Sequence, residues 1–190
     1  MASKYARHAP AMVLMRLLAT ALTVGVLIGP TARGQTALAP YVVTPLDVVD
    51  RMLKLASVGR SDVVYDLGSG DGRIVIAAAR SFGARGVGID IDPTLVDRAR
   101  ANAAAAGVAD RVTFRLEDVM SADVSDATVV TLYLLAASNV KLRPRLQAQL
   151  RPGARIVAHN FGMGDWEPQK VDTFRDEQGV TRTLFLWTIR

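Results

Sequence analysis

The sequence predicts an α/β fold: a Rossmann-like, doubly wound, mostly parallel seven-stranded sheet with a C-terminal antiparallel hairpin. Three observations carry this. Short apolar, β-branched runs alternate with helix-like stretches, the pattern of a parallel sheet built from strand–helix–strand units. One such run, residues 62–67, passes through Gly68-Ser69-Gly70-Asp71-Gly72 directly into the apolar helix start Ile74-Val75-Ile76-Ala77-Ala78-Ala79. A strand, a glycine turn and a helix N-terminus make a binding corner at the carboxyl end of a sheet. The last two runs, around 171–174 and 181–189, are separated only by a turn through Glu177-Gln178-Gly179, so they pair as a hairpin.

With 190 residues, half of them apolar, the chain is long enough for one domain with a real core. Cysteine is absent, which excludes disulfides, zinc–thiolate sites and cysteine nucleophiles. The two histidines, His8 and His159, are too few for a His-rich metal site, and no metal is expected. The formal charge of +5 comes from the N-terminus: Lys4, Arg7, Arg16 and Arg33 lie before residue 35 and no acid does, leaving 19 of the 23 basic residues against all 18 acids. No basic face for nucleic acid follows from the total, and nucleic acid is not expected as a partner.

Taken in order, the chain opens with Lys4, Arg7 and Arg16 ahead of an apolar run at 17–29, 13 residues long. That length suits the core of a signal peptide and is short for a membrane span. Ala32-Arg33-Gly34 offers small residues where a signal peptidase reads, with cleavage before Gln35; Met15 is an alternative start. The expectation is a signal peptide or N-terminal anchor over 1–34 and the domain over 35–190. The domain is then exported, periplasmic or membrane-anchored, with transient membrane contact through this segment. A mis-assigned start, with a cytoplasmic domain, is the alternative.

Thr44-Pro45-Leu46-Asp47 opens the first helix, with Thr44 as the expected cap, Pro45 in the first turn and Asp47 favourable to the helix dipole. Val48, Val49, Met52, Leu53 and Ala56 fall on one face, so this helix packs on the core beside the corner.

At the corner, the spacing is G-x-G-x-G, and Arg73 stands where the dinucleotide fingerprint has its third glycine. The strand ends in an acid, Asp66, which would repel a pyrophosphate and attract an ammonium. The free N–H groups of the helix start favour a carboxylate or phosphate. S-adenosylmethionine (SAM) carries an ammonium, a carboxylate and a ribose and matches both ends of the turn. The candidate residues here are Asp66, Gly68, Ser69, Gly70 and Gly72. A Rossmann loop for another nucleotide is the alternative.

Residues 85–90 form the second strand, ending at Asp90, twenty residues beyond Gly70, where an acid can accept hydrogen bonds from both ribose hydroxyls. Ile91 adjoins it in the candidate set. Asp92-Pro93 caps a helix that stops at Gly107. Residues 111–116 are the third strand, followed by Glu117-Asp118. Residues 128–134 read as a central buried strand. A helix is expected over 139–150, with Pro144 kinking it or delaying its start. Residues 155–161 are the fifth strand, followed by a loop carrying Trp166.

The corner and the acids beyond it resemble the class I SAM-dependent methyltransferases. The longer strings DLGSGDGRIVIAAA from Asp66 and GVGIDIDP from Gly86, with Thr44-Pro45 ahead of them, are similar to a family of small protein-lysine methyltransferases that includes mitochondrial enzymes acting on the ATP synthase c subunit and the adenine nucleotide carrier. The resemblance implies SAM as methyl donor, Asp118 near the adenine amino group, and a protein lysine as acceptor, with a small-molecule acceptor or a non-catalytic SAM-binding module as alternatives. Two departures stand out: Asp90-Ile91-Asp92-Pro93 where the family's motif often ends in Glu-x-Asn-Pro, and Ala136 where a proline often follows the fourth strand. Tyr133-Leu134-Leu135-Ala136 also differs from the Asp/Asn-Pro-Pro-aromatic motif of enzymes that methylate nucleobase amines. Tyr133, Asn160 and His159, at strand ends, are the candidate catalytic residues.

Overall fold

The computed structural model describes residues 41–190; the expected signal segment lies outside the described residues. The elements are α1 (Leu46–Leu55), β1 (Val63–Leu67), α2 (Arg73–Phe82), β2 (Arg85–Asp90), α3 (Pro93–Ala105), β3 (Val112–Leu116), β4 (Val129–Leu132), α4 (Ala136–Gln149), β5 (Arg155–His159), β6 (Lys170–Arg175) and β7 (Thr181–Thr188). The sheet has seven strands in the order β3-β2-β1-β4-β5-β7-β6. The first five run parallel, and β7 is antiparallel to both β5 and β6.

The order reverses between β1 and β4. At such a switch the connecting helices leave on opposite faces of the sheet and open a crevice above the strand ends. One core layer packs α1, α2 and α3 against one face, through Met52, Leu53, Val75 and Val96 among others. The second fills the opposite face with α4, through Leu142 and Leu146, and with Trp187 and Met163. β4 has all four residues buried because both faces are covered; Val129, Val130 and Leu132 are apolar, and Thr131 turns its hydroxyl to Asp66.

The amino end of the sheet is closed by a buried ion cluster. Asp62 accepts from the Thr128 hydroxyl (2.7 Å) and the Gly59 N–H (2.8 Å) and pairs with Arg155, whose guanidinium also donates to the Ala56 carbonyl (2.7 Å). Burial pushes the Asp62 carboxyl up, but Thr128, Gly59 and Arg155 together hold it below the usual carboxylate range.

Two local expectations are corrected. Thr44 does not cap α1. Pro45 occupies the cap, with φ −58° and ψ 149° and no side-chain hydrogen bond. A residue preceding proline is driven into extended backbone, which leaves the Thr44 hydroxyl one residue upstream of the cap position. α4 begins at Ala136 rather than Asn139 and runs through Pro144. Pro144 and Val140, the residue whose carbonyl loses its partner to proline, are both exposed, so the missing hydrogen bond falls on the solvent side of the helix, where it costs least. β4 and β5 also end two residues earlier than the apolar runs suggest, which frees Tyr133 and Asn160 from the ladder. Among the described residues, no helix is long and apolar enough to cross a membrane.

Candidate active site

The crevice above β1, β2 and β4 holds a cleft of about 240 Å³. Its floor is the glycine turn. Gly68, Gly70 and Gly72 have φ of +83°, +53° and +81°, which favours glycine at each. Gly68 and Gly70 are also close-approach points: a Cβ on Gly70 would stand 2.6 Å from the Tyr41 ring, and one on Gly68 2.9 Å from Leu134 Cδ2. The turn is locked from below. The Gly68 and Ser69 N–H groups donate to the Ile89 carbonyl (2.8 and 2.9 Å), and the Gly70 N–H donates to Asp90 Oδ2 (2.8 Å).

Of the expected cofactor residues, Asp66, Gly68, Ser69, Gly70, Asp90, Ile91 and Asp118 all line this cleft. Gly72 is not among the lining residues: it is the N-cap of α2, where a Cβ would meet Phe114 at 2.6 Å. Asp66 is buried, with the Thr131 hydroxyl donating to its Oδ1 at 2.7 Å. Burial, then the charges of Asp90 and Asp71, push its carboxyl up to about 7 against the pull of Thr131. Asp90 holds the loop as well as the cleft, since its Oδ1 accepts from the Asp92 N–H at 3.0 Å. Asp118 uses Oδ1 to accept from the Met120 N–H at 2.9 Å.

Five carboxylates line the cleft, those of Asp66, Asp71, Asp90, Asp92 and Asp118, against one cation, Arg73. Arg73 is spoken for. It forms a bidentate pair with Asp71 (2.9 and 2.6 Å) and donates to the Thr44 carbonyl (2.9 Å). That third bond ties the segment 41–44 across the cleft mouth, where Tyr41, Val42, Val43 and Thr44 form one wall. Residue types and spacing missed this wall. The signal available was an aromatic and apolar run immediately ahead of Pro45.

On the acceptor side the expected residues separate. Tyr133 lines the cleft, and so does Leu134. His159 does not: it is fully buried, its ring 4.0 Å from that of Tyr133 with an interplanar angle of 30°. Asn160 does not line the cleft either. It adopts φ +61°, donates its N–H to the Thr183 carbonyl (2.7 Å) and accepts the Thr183 N–H on Oδ1 (3.0 Å). Its side chain serves the sheet, because a strand that stops at His159 leaves the ladder beyond it to be completed by a side chain. Trp166 is an anchor: its carbonyl accepts from Trp187 Nε1 at 2.8 Å and Arg143 lies over its ring.

The donor set suits SAM. Ser69 lines the cleft, and its Oγ, enclosed beside Gly88, has no hydrogen-bond partner among the described residues, which leaves a donor unused by the protein next to the cleft. Asp66, held in a dry site, lacks the cation that would stabilise its charge. The two glycines have positions that a Cβ would fill.

Comparison with known proteins agrees. Residues 66–170 match the model of the ANTKMT methyltransferase domain. A protein-lysine N-methyltransferase of Saccharolobus islandicus is 42% identical over 151 residues, covering 79% of this chain and 93% of that protein. The mouse adenine nucleotide translocase lysine N-methyltransferase is 36% identical over 132 residues, covering 70% of this chain and 57% of that protein. A crystal structure from Salinibacter ruber, described as an RNA methyltransferase in complex with S-adenosyl-L-homocysteine, is 60% identical with a TM-score of 0.73, covering 78% of this chain and 94% of that one. A Rossmann-like sheet, a glycine corner fitted to SAM and these matches lead to one conclusion: the chain belongs to the ANTKMT methyltransferase domain family and is a SAM-dependent methyltransferase.

Proposed function

We propose that the chain transfers the methyl group of SAM to the side-chain nitrogen of a protein lysine. The observation that carries this is the charge of the cleft as a whole: five carboxylates against one cation, itself paired with Asp71, favour the approach of an ammonium over that of a phosphate backbone. The names of the Saccharolobus and mouse relatives support it. The description of the Salinibacter structure favours a second reading, RNA as acceptor.

When bound, SAM supplies a methyl carbon made electrophilic by its sulfonium. In our reading Asp66 holds the ammonium of the donor and Ser69 its carboxylate. Asp90, beside Ile91, holds the ribose hydroxyls and Asp118 the adenine amino group. Val42, Val43 and Leu134 exclude water from the reacting centre. Tyr133 holds the acceptor nitrogen on the line of displacement, which is the main work required when the electrophile is already activated. Beside the apolar side chains of Val42, Val43 and Leu134 the lysine is poorly solvated, and because burial disfavours the ammonium its proton passes to bulk water before transfer.

The test is transfer of radiolabelled methyl from SAM into membrane and periplasmic extracts. Label recovered after acid hydrolysis as methyl-lysine is the expected result. Label removed by ribonuclease would refute the lysine reading in favour of RNA, and label in small solutes in favour of a small acceptor. No label, despite SAM binding in calorimetry, would make the chain a binding module. We also infer that residues 1–34 direct the domain out of the cytoplasm, or hold it at a membrane; the basic flank and the apolar run support this. N-terminal sequencing of the native protein is expected to begin at Gln35 if the segment is cleaved, and recovery of the soluble protein from the cytoplasm with the segment intact would refute export.

A further inference from the structure

We propose that His159 is a positioning residue for methyl transfer: its buried imidazole, laid against the ring of Tyr133, fixes that phenol at the acceptor end of the cleft. The inference rests on the reading of Tyr133 as the group that meets the acceptor.

Tyr133 needs such a support. β4 ends at Leu132, so the ladder does not hold Tyr133, a residue of the cleft lining. Its ring contacts are His159 at 4.0 Å and Phe161 at 6.4 Å, the latter with an interplanar angle of 24°. The Phe161 pair lies at an ordinary stacking separation, and the His159 ring is closer still, tilted by 30° against the phenol ring.

His159 is an unusual choice for mere filling. It is 0% exposed, and among the described residues neither Nδ1 nor Nε2 has a hydrogen-bond partner. Leucine would fill the space without burying two polar nitrogens, but it has no aromatic face. Because neither nitrogen meets the Tyr133 hydroxyl, the imidazole is not a proton relay to it. What the imidazole offers Tyr133 is its face. Burial, then the charge of Arg182, lowers its pKa to about 4 against the opposing pull of Asp176, so the ring stays neutral at physiological pH. A neutral ring adds no positive charge behind a mouth that admits an ammonium.

The support is itself rigid. His159 pairs with Leu184 in the sheet. Asn160 then takes a left-handed turn pinned at both backbone N–H and side chain to Thr183. The Phe161 N–H donates back to the His159 carbonyl (2.8 Å), and the Asn139 amide donates to the Phe161 carbonyl (2.9 Å). A non-glycine residue held at positive φ is strained and persists where its surroundings over-determine it. Here the turn delivers both rings that flank Tyr133.

The test compares His159→Leu, His159→Met should leucine not fold, and His159→Phe, with Tyr133→Ala as reference. Methyl transfer from radiolabelled SAM is measured into the same extracts, SAM affinity by calorimetry, and the Tyr133 ring by fluorine NMR of protein carrying 3-fluorotyrosine, assigned with Tyr133→Phe. The fluorine measurement needs no acceptor. His159→Leu should lower kcat about tenfold or more, the order expected for a displaced catalytic group, with SAM affinity unchanged, and should move the Tyr133 resonance. His159→Phe should recover most of the rate and the original resonance. An unmoved resonance, an unchanged kcat, or a loss shared equally by SAM binding overturns the inference. A Tyr133→Ala variant that keeps full rate overturns this inference and the acceptor placement together. A slow Tyr133→Ala beside a fast His159→Leu overturns this inference alone.

Discussion

Replacing Asp66 with asparagine should stabilise the ligand-free protein while weakening its grip on SAM. The carboxyl is fully enclosed, receives one hydroxyl hydrogen bond, and titrates at about 7 rather than at its ordinary 3.8. A carboxyl whose pKa is higher folded than unfolded stabilises the fold only while protonated. Its contribution is complete below 3.8 and is lost as pH rises through 7. At 1.36 kcal/mol per pKa unit, the ionised group at pH 8 costs the fold about 4 kcal/mol as an upper figure. An amide of the same shape keeps the Thr131 bond and carries no such cost, so a gain of about 2–4 kcal/mol at pH 8 is expected, shrinking towards zero by pH 4. For a domain of this size each kcal/mol moves Tm by about 2–4 °C, so melting at pH 8 and pH 5 resolves the effect. In calorimetry the same variant should lose about 1–3 kcal/mol of SAM affinity, the order for removing a charged partner, and wild-type affinity should fall as pH drops below 7 because the carboxylate is then protonated. Ligand-free Asp66→Asn melting lower than wild type at pH 8, with undiminished SAM affinity, would refute both the assignment of burial as the cause and the placement of the ammonium.

Three further outcomes follow from the geometry. Asp62→Ala leaves Arg155 half-buried without its carboxylate and should destabilise by about 2–4 kcal/mol in denaturant unfolding, with SAM affinity unaltered because the cluster lies at the opposite end of the strands. The Asp62 contribution is present above pH 3.8 and is lost as pH falls below it, since its folded pKa is the lower one. Gly88→Ala would set a Cβ 2.6 Å from the Phe114 ring and 2.8 Å from Ser69 Oγ; it should cost about 1–3 kcal/mol through overpacking and weaken SAM binding by disturbing Ser69, read by melting and calorimetry together. Asp90→Ala removes the acceptor of the Gly70 and Asp92 N–H groups and should lower stability by about 1–3 kcal/mol and SAM affinity with it; a loss confined to one of the two would separate the loop-holding role from ribose binding.

Much of this protein is written locally. Runs of β-branched residues specify buried strands, and the chain order of strands and helices specifies the parallel topology, because right-handed crossovers leave few alternatives. The glycine turn and the acids ending β1 and β2 are legible for the same reason: backbone sterics and charge at a strand end depend on immediate neighbours. The acceptor side is different. His159, Asn160 and Tyr133 share the feature of standing at strand ends, yet only Tyr133 reaches the cleft. Their separation depends on where the ladders stop and on Thr183, twenty-three residues further along, completing the hydrogen bonds of Asn160. Likewise the wall made by residues 41–44 exists because Arg73 reaches back to the Thr44 carbonyl, a contact with no local pattern. The sequence by itself determined the fold and the glycine corner with its acids, since both follow from interactions between near neighbours. The tertiary structure alone decided which of the strand-end residues line the cleft, because that depends on packing between segments far apart in the chain.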